Sequence, residues 1–165
     1  MKILVFSDSH ASLRFMRICI AKIKPDAIIH LGDLYEDAQT IALENPAIPV
    51  HMVAGNCDRC HAPLSARELL IYPVCGVKLF MTHGHRQYVK QSLYSLLADA
   101  RATNVDAVLF GHTHQPLCRQ QDDGLWVLNP GSCGGRDSTA GLIETCENAI
   151  SACHILRQTD IDALK

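Results

Sequence analysis

The sequence predicts an α/β protein whose first half is built on parallel strands and whose second half is mixed to antiparallel. Two observations lead there. From residue 3 to residue 53, short continuous apolar runs alternate with segments of helical period, the pattern of parallel strands joined by crossover helices. After residue 68 the apolar runs instead face each other across short turns, as in hairpins. With 48% hydrophobic and 19% charged residues the composition is that of a folded chain. Its 165 residues, with no repeat, linker or low-complexity tract, give one domain over residues 1–165.

Each element has its own signal. Ile3 to Phe6 is a buried-strand run that ends at Ser7-Asp8-Ser9-His10. Ala11 to Lys24 reads as a helix with Leu13, Met16, Ile20 and Ile23 on one side, closed by Pro25. Ala27 to Leu31 is a second strand, ending at Gly32-Asp33. A weaker helix covers Asp37 to Leu43, and Pro49 to Val53 is a third strand ending at Ala54-Gly55-Asn56. Glu68 to Pro73 and Val77 to Met81 flank the Cys75-Gly76 turn, and the second of them runs into Thr82-His83-Gly84-His85. Gln91 to Thr103 makes a helix with Leu93, Leu96, Leu97 and Ala100 inward. Strand Ala107 to Phe110 then leads into Gly111-His112-Thr113-His114. Leu117 to Gln121 and Leu125 to Leu128 flank an Asp122-Asp123-Gly124 turn. Ala140 to Cys146 and Ala149 to Leu156 close the chain as a hairpin around Glu147-Asn148.

The strand ends carry the chemistry. In open α/β sheets ligands bind beyond the carboxyl ends of the strands. Here Asp8 with His10, Asp33, Asn56 and His83 fall at such ends, and His112 with His114 follows another strand. Taken singly these are ordinary caps, turns and polar loop residues, since aspartate and asparagine favour those positions. Taken together they offer two carboxylates, one amide oxygen and four imidazoles, enough to hold two metal ions. Mixed nitrogen and oxygen donors suit manganese, iron or zinc better than calcium or magnesium.

The ordered series Asp8-x-His10, Gly32-Asp33, Gly55-Asn56, His83-Gly84-His85 and Gly111-His112-x-His114 resembles the motif set of the calcineurin-like metallophosphoesterase superfamily. Gly55-Asn56-Cys57-Asp58 and Asn129-Pro130-Gly131-Ser132 make it similar to the superfamily's small phosphodiesterase branch. The resemblance implies a four-layer α/β/β/α sandwich with mixed sheets. It further implies that Asp8, His10 and His114 hold one divalent ion, that Asn56, His83 and His112 hold the other, and that Asp33 bridges them. Manganese is the first expectation, with iron or zinc as alternatives. A water or hydroxide between the ions would attack phosphorus in line, leaving Asp33, Asn56 and His85 as the catalytic candidates. The implied substrate is a small phosphodiester. The competing implication is a noncatalytic scaffold on the same fold, as in the retromer subunit that shares it.

One position departs from the superfamily at large. Many members have histidine after the asparagine, where it helps protonate the leaving group; this chain has Cys57. A thiol with an ordinary pKa near ~8.5 replaces imidazolium poorly, so activated or diester phosphates are the expected substrates, with His85 or water as the acid. Asp58 is expected to orient a neighbour of Asn56, and Arg86 and Arg136 to meet substrate phosphate. Gly131-Ser132 is expected to be a backbone turn near the site. His30, His51 and His154 lie inside strand runs and read as core or sheet-face residues. Cys57-x-x-Cys60 followed by His61 imitates a zinc fragment but lacks a second ligand pair. A net charge of -2 and 5% aromatic residues argue against strong nucleic-acid binding. No run is long enough for a membrane span, and Met1-Lys2 leads straight into the first strand, so a cytoplasmic location with reduced thiols is expected.

Overall fold

The computed structural model of the chain describes residues 1–60 and 62–164. Two five-stranded sheets lie face to face. The first has the order β10-β9-β1-β2-β3, built from β1 (Lys2–Phe6), β2 (Ala27–His30), β3 (Val50–Met52), β9 (Thr139–Cys146) and β10 (Ala149–Arg157). The second has the order β4-β5-β6-β8-β7, from β4 (Leu69–Val74), β5 (Val77–Thr82), β6 (Ala107–Leu109), β7 (Leu117–Gln120) and β8 (Trp126–Asn129). In each sheet a parallel trio sits among antiparallel partners: β1, β2 and β3 in one, β5, β6 and β8 in the other.

Alternation along the strands sets the layers. Ile3 and Val5 point between the sheets with Ile29, Leu79, Met81, Leu109 and Ile143. Leu4 and Phe6 point the other way, onto α1 (Arg14–Ile23), α2 (Tyr35–Glu44) and α4 (Gln158–Ala163) through Met16, Ile41 and Ile161. On the far face Phe80, Val108 and Val127 meet Leu96 and Ala100 of α3 (Tyr94–Ala102). Three hydrophobic layers between four structural ones make the α/β/β/α sandwich. A strand residue on either face is thus withdrawn from water, which is why these strands read as unbroken apolar runs.

The structure corrects three helix starts, the one expected at Asp37 lying two residues earlier at Tyr35, and adds an element. The helix expected from Ala11 begins at Arg14, because His10 and Ala11 have left-handed backbones, with φ of 46° and 66°. Its buried stripe is Phe15, Met16, Cys19 and Ile20, rotated from the one expected. The helix expected from Gln91 begins at Tyr94. Helix α4 was not foreseen; six residues with Ile161 as its buried anchor give too weak a period to read.

His30 is fully buried at the end of β2. Its Nδ1 accepts from the Gly32 N–H at 3.2 Å, so the ring is neutral and its Nε2–H donates to the Ser9 hydroxyl, also at 3.2 Å. Burial lowers its pKa to about 4 against the neighbouring carboxylates. Between that value and about 6.5 the unfolded chain binds a proton here that the folded chain refuses. Stability present above about pH 6.5 is therefore lost as the pH falls toward 4, by about 3 kcal/mol. Urea unfolding of metal-free protein across this range measures the loss. His30→Asn should flatten it, and a His30 ring that titrates near 6.5 in the folded protein would contradict the assignment.

Candidate metal centre

The carboxyl ends of β1, β2, β3, β5 and β6 open on one edge of the sandwich, and each expected ligand lies within a few residues of such an end. The two sheets are joined there by side chains. The His83 ring, from the second sheet, bonds the Leu31 carbonyl of the first at 2.8 Å, and the His112 N–H donates to Asp8 Oδ2 at 3.1 Å. Gly111 is placed so that a Cβ would run into the Ser7 hydroxyl; only glycine lets the two sheets approach this closely.

Two groups of three side chains result, Asp8 with His10 and His114, and Asp33 with His83 and His112. In each, one ligand atom from every residue lies within 4.8 Å of the others. His10 and His114 bring their Nε2 atoms to 3.4 Å, and His114 Nε2 stands 3.1 Å from Asp8 Oδ1. Asn56 joins the second group, its Oδ1 3.2 Å from His83 Nε2, which is itself 3.4 Å from Asp33 Oδ2. All seven expected ligands are thus brought together.

The donor set fits a cation. The Nδ1–H of His83 is committed to the Leu31 carbonyl, so a neutral ring turns its Nε2 lone pair toward two oxygens. Asp8 Oδ1 is buried with no hydrogen-bond donor, whereas Oδ2 receives the Ser7 hydroxyl at 2.6 Å and the His112 N–H. Lone pairs that converge without protons between them call for a positive charge. The titration directions agree. Burial alone would lower His83, yet Asp33 and Asp8 raise it. Burial alone would raise Asp33, yet His83 and the Cys57 N–H hold its carboxyl far below the usual range. His112 is lowered to about 4, chiefly by burial and then by the charge of His83.

Five of the seven have left-handed backbones: Asp8, His10, Asp33, His112 and His114, with φ from 46° to 68°. Each such conformation costs on the order of 1–3 kcal/mol in a residue with a side chain. Buried braces hold them. Asp58 accepts from the Gly55 N–H at 2.6 Å, the Asp33 N–H at 3.0 Å and the Tyr35 N–H at 2.7 Å, a wider role than the single neighbour expected of it. Asn129 donates to the Gly111 carbonyl and the Thr113 hydroxyl, fixing the loop that carries His112 and His114. The Ser132 hydroxyl donates to the Asp8 carbonyl at 2.7 Å.

Residues 1–148 match the calcineurin-like phosphoesterase superfamily domain. The chain belongs to that superfamily. Among its relatives, the probable metallophosphoesterase YsnB of Bacillus subtilis is 32% identical, over 80% of this chain and 75% of its own length. A phosphodiesterase of Methanocaldococcus jannaschii is 29% identical, over 88% of this chain and 93% of its own. In fold it is similar to Vps29 of Entamoeba histolytica, crystallised with zinc, with a TM-score of 0.72 over 95% of this chain and 98% of that one at 21% identity.

Around the ligands the remaining expectations divide. His85 packs beside His83 and His112, ring centroids 5.6 and 6.2 Å away, with neither buried ring nitrogen hydrogen-bonded. Cys57 is at the surface, its thiol pushed up to about 11 by desolvation against the site and then by Asp33. Arg86 is taken up by an ion pair with Glu68 and is turned to solvent. His30 is in the core, His51 stacks on Tyr72 between the sheets, and His154 is exposed on the sheet face. Cys60 is exposed, and His61 lies outside the described residues. No described helix is long and apolar enough to cross a membrane.

Asp58 supplies the sharpest test of the braces. Asp58→Ala strands three N–H groups and should lower stability by about 3 kcal/mol, read as a shift in urea midpoint. It should also weaken manganese binding by about 10- to 100-fold, since the ligand's support is lost while the ligand remains. Unchanged affinity would show that the ligand loops hold themselves.

Proposed function

We propose that this chain is a metal-dependent phosphodiesterase, one domain over residues 1–165, with two divalent ions held by Asp8, His10 and His114 on one side and Asn56, His83 and His112 on the other. Asp33 would be shared between them. The observation that carries the reading is the convergence of seven donors on two points around buried carboxylates, one of whose oxygens has no proton to accept. Manganese is the expected ion, with iron or zinc as alternatives, because nitrogen and oxygen donors are mixed. When bound, the ions would supply Lewis acidity, lowering the pKa of a water and neutralising charge on the phosphoryl oxygens.

The chain's own residues set what that acidity acts on. The brace from the Cys57 N–H to Asp33 Oδ1, 2.9 Å long, leaves Oδ2 turned toward His83. His85 presents unbonded nitrogens beside the second group and is the side chain best placed to meet the ester. With a thiol at position 57 where many superfamily members have imidazole, protonation of a poor leaving group is weakly supported. Diesters with good leaving groups are accordingly the favoured class.

A second reading, a noncatalytic scaffold, is favoured by the likeness in fold to Vps29 and by Leu69 and Ile71, which stand exposed on the edge strand β4. One experiment separates the two. After chelation, hydrolysis of bis-p-nitrophenyl phosphate should vanish and return on adding manganese, iron or zinc. Asn56→Ala should lower the restored rate by about 100-fold. His85→Ala should lower kcat without changing the number of ions bound. Equal rates with and without metal would overturn the mechanism, and metal binding with no hydrolysis would favour the scaffold.

A further inference from the structure

A cavity of about 690 Å³ opens directly beside His114 and runs between the loop after β8 and the start of α4. Its size is that of a small-molecule pocket. Ser132, which bonds the Asp8 carbonyl, lies in its wall together with His114, so the cavity is continuous with the first ligand group.

Most of its polar lining is already committed. The hydroxyls of Ser132, Ser138 and Thr139 donate to backbone carbonyls of Asp8, Cys133 or Gly135, and Pro130. The Gln158 amide donates to Asp162. Two guanidiniums, Arg136 and Arg157, are the charged donors that remain uncommitted. The arginines with carboxylate partners among the described residues are Arg17, Arg86 and Arg101. Arg136 and Arg157 line the cavity without such a partner, and the acid that shares it is Asp137. Two forked donors against one carboxylate leave the cavity net positive, suited to an anion more strongly charged than a single diester phosphate.

Position in the chain separates this feature from the ligand set. The superfamily match ends at residue 148, whereas Arg157, Gln158 and Thr159 come from the end of β10 and from α4. One wall of the cavity is therefore built from the C-terminal segment, which carries none of the candidate metal ligands, so selectivity among substrates can be built there without touching them.

We propose that this cavity is a specificity subsite for a terminal phosphate, making the substrate class a phosphodiester that carries a second, phosphomonoester group on the side of His114. The inference rests on the phosphodiesterase reading for its reaction, but not for its binding. Arg136 and Arg157 are specificity residues that hold the terminal phosphate, and Asp137 sets how tightly.

The test compares two dinucleotides that differ only in that group, adenylyl-3′,5′-adenosine with and without a 5′-phosphate. Calorimetric binding to the full chain, loaded with manganese or metal-free, is measured beside hydrolysis. The 5′-phosphorylated compound is expected to bind, and to show a KM, about tenfold tighter in the native protein. Raising the salt should shrink that preference, because it is carried by charge. Arg136→Gln with Arg157→Gln should erase it, and Asp137→Asn should increase it. Equal affinity for the two dinucleotides, or a preference that survives loss of both arginines, would overturn the subsite. If the preference is seen but nothing is hydrolysed with any metal, the subsite stands and the phosphodiesterase reading falls.

Discussion

Two carboxylates withdrawn from water, Asp8 and Asp33, set the terms for the edge of the sandwich. Among the described residues their ion-pair partners are imidazoles alone, His114 for one and His83 for the other. A buried carboxylate without an opposite charge is costly by several kcal/mol. His83, raised by Asp33 and Asp8, takes up a proton as that charge when no ion is bound, and a cation at the same place replaces it. The demand for a cation follows from the burial of the pair, and the burial follows from the sandwich: both aspartates sit just past central strands of the first sheet, under the loops of the second.

The same arrangement explains where strain is stored. A parallel strand that ends under another sheet must turn sharply, and the turns after β1, β2 and β6 place ligand residues in left-handed conformations. Those residues stay there because neighbours that are not themselves ligands hold their backbones: Asp58 from the side of β3, Asn129 and Ser132 from the end of β8. Asp58 and Asn129 are both fully buried, so the ligand atoms are positioned before any ion arrives.

The strands and the seven candidate ligands were legible in the sequence because both follow from local pattern. A two-faced strand such as Ile28-Ile29 shows itself as an unbroken apolar run, and a ligand after such a run shows itself by place. The bracing was not legible. Nothing in the order of residues says that Asn129 reaches the loop of His112, since the bond spans two strand ends and depends on β6 and β8 being neighbours. The delayed start of α1 was hidden likewise: His10 and Ala11 are compatible with a helix by propensity, and tertiary position overrules them. Arg157 offered no signal at all until β10 and α4 brought it round to the cavity of His114.

The central claim is that paired positive charge belongs between these carboxylates. Anomalous scattering from crystals grown with excess manganese tests it most directly. The account predicts two peaks in each chain, about 3.5–4 Å apart, with Asp33 between them. A single peak, or manganese bound away from Asp8 and Asp33, would contradict it.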